Sequence, residues 1–326
     1  MNLADAHSKP SGSRRGARLL VLAIKVLMGV SVAIYAVVVV SPSPKPRLAL
    51  LAAVHRTGGC SFADTLNSST YDHDLDALTD RIAGASRIVQ TDGAFNLVDT
   101  PGGRWWVNRD DRSLTFLLAE QRRQIYGTGI EGVREGDVVL DCGANVGAFT
   151  RTALNHGARL VVAIEIAPAT IECLRRNFSE EVSRGRMVIY PKGVWNRPDF
   201  LEMSVVDRSN AGANSVVLGR QVENKIRVPV TTIDSIVSEL HLDRVDFIKM
   251  DIEGAEKEAL QGAAATIRRF RPRMAISSEH LPTDVKEIPQ AVSSIRPGYE
   301  IRASDCSDFF SRVQPAVLHF RFSGPR

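Results

Sequence analysis

DVVLDCGANVGAFT, residues 137–150, combines an apolar run with an acid and two glycines. It begins as an apolar run typical of a buried strand, and the run ends at the acidic residue Asp141. Gly143 and Gly147 follow in a short turn, and Asn145 between them is one of the few non-glycine residues that tolerate the left-handed backbone region. The stretch therefore predicts a strand, a tight turn whose backbone can approach a ligand closely, and the start of a helix.

Helix and strand patterns alternate from residue 111 onward. Helical patterns include DRSLTFLLAEQRRQIY, APATIECLRRNF, EGAEKEALQGAAATIRRF and DVKEIPQAVSSI. Strands are predicted at DVVLD, RLVVAIE, RMVIYPKG, FLEMSVVD, DFIKMD, RPRMAISSE and YEIRA, with AVLHFRF as a late edge strand. This alternation predicts an α/β fold with a doubly wound, mostly parallel sheet.

Composition divides the chain into five predicted segments. They are a polar, basic N-terminus at 1–18, a transmembrane anchor at 19–40, a proline-punctuated linker at 41–60, a small helix and β-meander region at 61–110, and the main α/β domain at 111–326. The α/β domain is thus expected to follow one transmembrane helix and a small β-containing N-terminal region.

The anchor is predicted from LLVLAIKVLMGVSVAIYAVVVV, residues 19–40, which is long and apolar enough for one membrane-spanning helix. Lys25 interrupts the run near its start, where its amine can reach the interface. A cleaved signal peptide is the alternative, but the run exceeds the usual length of its apolar region. We therefore expect a single-pass membrane protein, and the flanking basic residues lean weakly toward a cytoplasmic N-terminus.

Charge and cysteine content exclude several classes of protein. The 41 Lys and Arg against 37 Asp and Glu give a net charge of +4, and the excess lies in short patches, so we predict no nucleic-acid binding. The four cysteines, Cys60, Cys142, Cys173 and Cys306, are too far apart for a paired CxxC metal site or a dense disulfide framework. We expect them to be free thiols.

The glycine turn favours a cofactor that carries adenosine but no phosphate. Glu165 ends the second strand about two dozen residues after Asp141, where an acidic side chain can accept hydrogen bonds from ribose hydroxyls. The pattern is D-x-G-x-x-x-G and not G-x-G-x-x-G, and an acid before the turn would repel a pyrophosphate. S-adenosylmethionine fits better, with Asp141, Gly143, Asn145, Gly147 and Glu165 as the predicted cofactor-binding residues. For Asp141 alone, a helix cap is the structural alternative.

Five segments in order carry a family resemblance: VLDCGANVGAFT, VVAIEIAPATIECLRRNF, VPVTTIDSIV, VDFIKMDIEGAEKEALQGA and MAISSEHLPTDVKEIPQAV. Together they resemble the FkbM-type methyltransferases over roughly residues 110–321. The resemblance implies a class I methyltransferase fold, S-adenosylmethionine as methyl donor, and transfer to a hydroxyl oxygen of a sugar or natural product. Two positions depart from the family: EIAP stands where EP is common, and Glu279 precedes His280 where an aromatic residue is common.

A second group of acids lies in KMDIEGAE, residues 249–256, after the strand expected beside the first one. Asp251 is predicted to face the sulfonium or the acceptor, with a helix N-cap as its alternative role. Glu253 is a further catalytic candidate, whereas Glu256 falls a turn later and is expected to be structural. Lys249, inside the strand, is a candidate buried partner for one of these acids.

The sequence SSEH places His280 at the end of the following strand, on the same rim. An alcohol becomes a good nucleophile only as its proton leaves, and histidine has the unperturbed pKa nearest neutrality for accepting that proton. His280 is therefore the predicted general base, beside Asp251 and Glu253. A divalent metal on these three residues is chemically open, but no tight spacing requires it, so no metal is assigned.

The sequence thus predicts a membrane-anchored, S-adenosylmethionine-dependent methyltransferase that O-methylates a hydroxyl of a glycan, lipid or natural product. Its expected partners are a hydroxyl-bearing small-molecule, lipid or glycan acceptor and, through residues 19–40, a membrane. Two alternatives are an NAD-dependent oxidoreductase, which would carry the missing G-x-G-x-x-G, and a non-catalytic membrane-anchored binding protein on the same fold.

Overall fold

A computed structural model of the chain describes residues 12–36, 41–204, 225–309 and 311–324. The chain divides into two compact units, residues 1–56 and residues 57–326.

The described residues of the first unit form two helices, α1 (Gly12–Tyr35) and α2 (Lys45–Ala53). Within the described residues, we find no helix whose length and apolar character suffice for crossing a membrane. The predicted anchor at 19–40 extends beyond the end of α1 into residues 37–40, which lie outside the described residues, and it contains Lys25. The prediction of a transmembrane anchor, and the membrane localisation drawn from it, are therefore not supported.

The second unit begins with a helix and a three-stranded meander. Helix α3 (Phe62–Gly84) is capped by Ser61, whose hydroxyl accepts a hydrogen bond from the amide of Asp64. Strands β1 (Arg87–Asp92), β2 (Phe95–Thr100) and β3 (Gly103–Asn108) pair antiparallel in that order. The turn residues of this region, Asp92-Gly93 and Gly102-Gly103, lie at the two hairpin turns.

The α/β part of this unit contains the remaining elements. Its helices are α4 (Leu114–Arg123), α5 (Ala148–Asn155), α6 (Pro168–Asn177), α7 (Ser179–Ser183), α8 (Ile233–Glu239), α9 (Glu256–Gln261), α10 (Ala264–Phe270) and α11 (Asp284–Ile295). Its strands are β4 (Val138–Cys142), β5 (Leu160–Ile164), β6 (Met187–Tyr190), β7 (Gly193–Val194), β8 (Asp199–Ser204), β9 (Lys225–Thr231), β10 (Phe247–Met250), β11 (Arg273–Ser277), β12 (Tyr299–Ala303), β13 (Cys306–Asp308), β14 (Val313–Pro315) and β15 (Val317–Phe322).

A seven-stranded sheet in the order β12-β15-β11-β10-β4-β5-β6 forms the centre of this part. The five strands from β11 to β6 are parallel, and β15 is antiparallel to both of its neighbours. The chain reverses its direction of travel across the sheet between β4 and β10, so the ends of these two strands form the switch point where α/β proteins bind ligands. The predicted mostly parallel α/β sheet is confirmed.

Three predicted elements differ in detail. AVLHFRF was expected at the sheet edge, but β15 is an interior strand with buried residues, and β12, whose residues are mostly exposed, forms the edge. FLEMSVVD forms β8, which pairs with β9 in a separate small sheet, and its last three positions lie outside the described residues. The single predicted helix at 253–270 is two helices, α9 and α10, separated at Gly262-Ala263.

Alternating side chains of the central strands build a core on each face of the sheet. Val139 and its register partner Phe247 belong to one hydrophobic cluster, and the next pair, Leu140 and Ile248, belongs to the other. Both faces are covered, as expected for a parallel sheet, and apolar burial of this extent holds the strand ends at fixed positions. The switch-point turns therefore rest on a rigid base.

Cys60 and Cys306 form a disulfide, so the prediction that these two are free thiols is wrong. The two cysteines are 246 residues apart in sequence, and only the packing of α3 against β13 brings them together. Cys142 and Cys173 are free and buried, as expected for small apolar side chains in a core.

Candidate active site

The turn after β4 has the backbone geometry that its sequence predicts. Gly143, Asn145 and Gly147 all have positive φ angles, of 78°, 50° and 96°. The amides of Gly143 and Ala144 both donate to the carbonyl of Ile164, which ends β5, at 3.0 and 3.1 Å. The turn is thereby fixed to the end of the neighbouring strand, and we name residues 143–147 the glycine turn.

Glu165, which directly follows β5, also holds the glycine turn in place. Its Oε2 accepts the amide of Asn145 at 2.9 Å, and its Oε1 accepts the amides of Ile166 and Ala167 at 2.8 and 2.9 Å. Burial raises the pKa of the Glu165 carboxyl, although these three backbone hydrogen bonds act in the opposite direction. One acceptor position of Oε2 stays unused by these bonds, which is what a ribose hydroxyl requires.

A cavity of about 710 Å³ opens at the switch point. It is lined by part of the glycine turn, by Glu165, by the turn after β10 and by the end of β11. The predicted site residues among its walls are Gly143, Asn145, Glu165, Asp251, Glu253 and His280. The structure thus brings the predicted cofactor and catalytic groups to one cavity.

Two predicted cofactor residues lie elsewhere. Asp141 is fully buried and is not part of the cavity wall; its carboxylate accepts the Thr150 hydroxyl at 2.6 Å and lies 3.4 Å from Lys249 Nζ. Gly147 faces the core, where a Cβ atom would come within 2.1 Å of the Phe178 ring. Both residues support the glycine turn from the core of the domain, and neither lines the cavity.

Lys249 connects the two strand ends that flank the switch point. Its buried ammonium donates to the carbonyl of Gly143 at 2.7 Å and lies 3.4 and 3.9 Å from the carboxylates of Asp141 and Asp251. Burial alone would lower the pKa of Lys249, but the two carboxylates outweigh it and raise that pKa. The lysine is the buried partner that the sequence indicated, and it serves both acids.

Asp251 follows β10 directly and faces the cavity. Its Oδ2 accepts the hydroxyl of Tyr126 at 2.6 Å. Burial would raise the pKa of Asp251, but Lys249, His280 and the Tyr126 hydrogen bond together lower it, so the side chain is a carboxylate at neutral pH. Helix α9 begins at Glu256 with Ala255 as its N-cap, so the alternative role of Asp251 as a helix cap is excluded.

The turn after Asp251 places a second carboxylate beside it. Glu253 and Gly254 both have positive φ angles, of 57° and 94°, and Glu253 lines the cavity. A left-handed backbone is unfavourable for a glutamate and costs on the order of 1 kcal/mol or more. In this conformation, the Glu253 side chain lies beside His280, which follows β11.

His280 lies among three carboxylates. Its Nδ1 is 3.0 Å from Glu256 Oε1, and its Nε2 is 3.4 Å from Asp251 Oδ1 and 3.7 Å from Glu253 Oε1. Burial would lower the pKa of His280, but Glu256, Asp251 and Glu253 outweigh it and hold the pKa well above its usual value. A ring that already holds its proton is a poor acceptor for another, which limits the predicted role of His280 as a general base.

Several wall residues are not among the predicted site residues. Tyr126 and Glu120 come from the segment at the end of α4, and Glu279 and Phe309 come from the strand end and hairpin opposite. Burial raises the pKa of Glu279 to about 7 and that of Glu120 well above its usual value. Glu256, expected to be structural, is fully buried and holds both His280 and the amide of Ile252.

The part of the chain that carries this cavity matches a known protein family. The sequence model described as "Methyltransferase FkbM domain" matches residues 141–301, from the strand that carries the glycine turn to β12. Residues 141–301 of the chain form an FkbM-type methyltransferase domain. The match includes the glycine turn, Glu165, the turn after β10 and His280.

Two curated relatives share this domain. The chain is 28% identical over 162 residues to "31-O-demethyl-FK506 methyltransferase FkbM" of Streptomyces tacrolimicus, a match that covers 41% of this chain and 62% of that protein. It is 27% identical over 146 residues to "Methyltransferase 1" of Beauveria bassiana, covering 38% of this chain and 57% of that protein. The chain thus matches about three fifths of the length of each relative.

Among solved structures, the chain is similar to a methyltransferase FkbM from Methylobacillus flagellatus. The TM-score is 0.44 at 19% identity, and the match covers 83% of this chain and 65% of that one.

Proposed function

We propose that this FkbM-type protein is an S-adenosylmethionine-dependent methyltransferase that methylates a hydroxyl oxygen of its acceptor. One observation carries the proposal. Residues of the glycine turn and Glu165 line the same cavity as Asp251, Glu253 and His280. A methyl donor held by the first group and an acceptor held by the second would meet inside it.

The residues present fit S-adenosylmethionine better than a dinucleotide. Gly143 lines the cavity with its backbone, and Glu165 Oε2 retains an acceptor position for a ribose hydroxyl. Asp251, Glu253 and Glu165 place carboxylates around the cavity, which suits a sulfonium and disfavours a pyrophosphate. This charge pattern argues against the NAD-dependent alternative.

S-adenosylmethionine, when bound, supplies an electrophilic methyl group. The protein's part is to hold the acceptor hydroxyl in line with that group and to receive its proton, while a C–O bond forms, the C–S bond breaks and its electron pair stays on sulfur. Asp251 is ionised and faces the cavity, whereas His280 already carries a proton, so we propose Asp251 as the proton acceptor with His280 as its partner. Glu253, which lines the same cavity, would accept a hydrogen bond from a neighbouring hydroxyl of the acceptor.

The acceptor is proposed to be a hydroxyl-bearing glycan, lipid or natural product. Carboxylates accept hydrogen bonds from hydroxyls, and the cavity also has the aromatic walls Phe116, Tyr126 and Phe309. The name of the Streptomyces tacrolimicus relative, which specifies an O-demethyl substrate, supports transfer to oxygen.

The test has two steps. Purified protein is titrated calorimetrically with S-adenosylmethionine, S-adenosylhomocysteine and NAD, and methyl-labelled S-adenosylmethionine is then incubated with methyl glycosides, long-chain alcohols and polyketide alcohols. We expect saturable binding of the first two ligands, no binding of NAD, and label in one acceptor class.

Binding of NAD without S-adenosylmethionine would overturn the proposal in favour of an oxidoreductase. Binding of S-adenosylmethionine with label in none of the acceptor classes, or only in amine-bearing contaminants, would overturn O-methylation. Mass spectrometry of the labelled product identifies the atom that carries the methyl group.

A further inference from the structure

His280, Asp251 and Glu253 offer one imidazole nitrogen and two carboxylate oxygens to a common point in the cavity. These atoms all lie within 4.8 Å of one another, and His280 Nε2 is 3.4 Å from Asp251 Oδ1 and 3.7 Å from Glu253 Oε1. Neighbouring ligands of one octahedral cation, each at roughly 2.1 Å from it, lie about 3 Å apart. A small inward movement of the side chains would give that spacing.

The imidazole is oriented from behind by a buried carboxylate. Glu256 is fully buried, and its Oε1 holds both the amide of Ile252 at 2.9 Å and His280 Nδ1 at 3.0 Å. With Nδ1 engaged by Glu256, Nε2 is the ring nitrogen that faces Asp251 and Glu253. A cation would displace the proton from Nε2, while the other ring proton stays on Nδ1 beside Glu256. A carboxylate behind a histidine is the arrangement that fixes the ring nitrogen of a metal-binding histidine.

Asp251 is oriented in the same manner. Tyr126 donates to Oδ2 at 2.6 Å, and Lys249 lies 3.9 Å from that oxygen, so Oδ1 is the oxygen turned toward His280. Two of the three groups thus have outer partners that set which atom points inward. A chance cluster of surface acids would not have its atoms fixed in this way, and His280 itself is only 9% exposed.

We propose that Asp251, Glu253 and His280 bind one divalent cation, with Glu256 and Tyr126 as the residues that position its ligands. Two carboxylates and one imidazole suit Mg²⁺, Mn²⁺ and similar ions, and the cavity leaves room for water or an acceptor oxygen to complete the coordination. Under the proposed function, the cation would bind the acceptor hydroxyl and ease the loss of its proton. The binding itself does not depend on that function.

A second group of possible ligands shares the histidine. Glu256, His280 and Asp284 also lie within 4.8 Å of one another. In that group the Nδ1 atom is already bonded to Glu256, Asp284 accepts the amide of Leu281, and neither acid lines the cavity. The cavity-side group is therefore the better site.

The experiment is a titration of the metal-free full chain with Mn²⁺, followed by calorimetry and by the loss of the free-ion paramagnetic resonance signal. We expect one saturable site per chain. His280→Ala and Glu253→Gln should each weaken Mn²⁺ binding at least tenfold, and Glu256→Gln should weaken it about 10–100-fold. Glu258→Gln, two residues from Glu256 on the same helix, is the matched control and should bind like the wild type.

Failure of the wild-type chain to bind Mn²⁺ at a saturable site would overturn the proposal, as would binding that survives in the His280→Ala and Glu253→Gln variants together. Loss of binding in Asp284→Asn with wild-type binding in Glu253→Gln would move the cation to the other group and also overturn it. If the melting curve shows that His280→Ala does not fold, the Mn²⁺ affinity of the Glu253→Gln variant decides the test. S-adenosylmethionine titrations on the same samples keep the two proposals apart: Mn²⁺ binding without cofactor binding would overturn the methyltransferase function alone.

Discussion

Gly143 lies so close to the carbonyl oxygen of Asp251 that a Cβ atom on residue 143 would be 1.9 Å from it. The first residue of the glycine turn is thus packed directly on the first residue of the turn that carries the catalytic candidates. Because no side chain fits between them, the two turns hold each other at a fixed separation. Under the proposed function, this contact would keep the methyl donor and the acceptor in a constant relative position.

Gly143→Ala should therefore damage both turns. Gly136 provides a matched control, because its φ of +80° is nearly that of Gly143 (+78°) but it has nothing within 4 Å of an added Cβ. We expect Gly136→Ala to lower the free energy of unfolding by about 1–2 kcal/mol through backbone strain alone. Gly143→Ala should cost about 1–3 kcal/mol more and abolish S-adenosylmethionine binding. Urea unfolding and calorimetry measure the two effects; equal costs in the two variants would contradict the close packing.

Glu165→Gln should weaken S-adenosylmethionine binding by about 1.5–3 kcal/mol, the range for a hydrogen bond to a charged group. The amide retains an acceptor oxygen for the backbone, so the turn is disturbed less than by alanine. Glu180→Gln is the control, because Glu180 is an exposed glutamate on α7. Calorimetric affinities that do not differ between the two variants would remove Glu165 from the cofactor site.

Affinity for S-adenosylmethionine should depend on pH through the same carboxyl. Burial raises the pKa of Glu165 above its ordinary value near 4.5, and the ionised form is the better acceptor for a ribose hydroxyl. Affinity should be full above that raised pKa and fall as the pH is lowered through it. The contribution of Glu165 to the free energy of unfolding has the opposite sign, because burying the ionised form is costly: it increases as the pH falls. Titrations between pH 4.5 and 8 should show a fall that is absent in Glu165→Gln.

His280→Ala should separate binding from chemistry. The ring contacts Asp251, Glu253 and Glu256 and not the glycine turn, so we expect cofactor affinity to change less than threefold. Methyl transfer, measured in a single turnover once an acceptor class is labelled, should slow about 10²–10⁴-fold. Full turnover in this variant would place His280 outside the reaction.

The disulfide should contribute to stability. Removing a native disulfide typically costs about 2–5 kcal/mol, and the bond between Cys60 and Cys306 closes nearly the whole second unit. A reductant should lower the urea midpoint of the wild type by a corresponding amount and leave a Cys60→Ser, Cys306→Ser variant unchanged. A wild type equally stable with and without reductant would show that the bond contributes nothing.

The local parts of the site could be predicted from the sequence. The positive φ angles at Gly143 and Asn145 and the position of Glu165 at the end of the next strand follow from residues that are close together in the chain. His280 and Asp251 were placed on one rim because the ends of parallel strands meet at one edge of a sheet.

The contacts between distant segments could not be predicted in this way. The hydrogen bond from Tyr126 to Asp251 joins residues 125 apart in sequence, and the disulfide joins residues 246 apart. Asp141 illustrates the same limit: its position at a strand end indicated a ligand, but Lys249 and Thr150, which occupy its carboxylate, come from other elements. Only the folded structure shows whether a side chain at a strand end faces the cavity or the core.

The place of β15 has a consequence for how the protein is made. This strand follows β11 and β12 in sequence but lies between them in the sheet, so both strands keep an unpaired edge until residues 317–322 are synthesised. Cys306, too, is synthesised 246 residues after its partner Cys60. A chain released before Val317 would therefore leave both edges unpaired and expose the sheet to aggregation with other nascent chains.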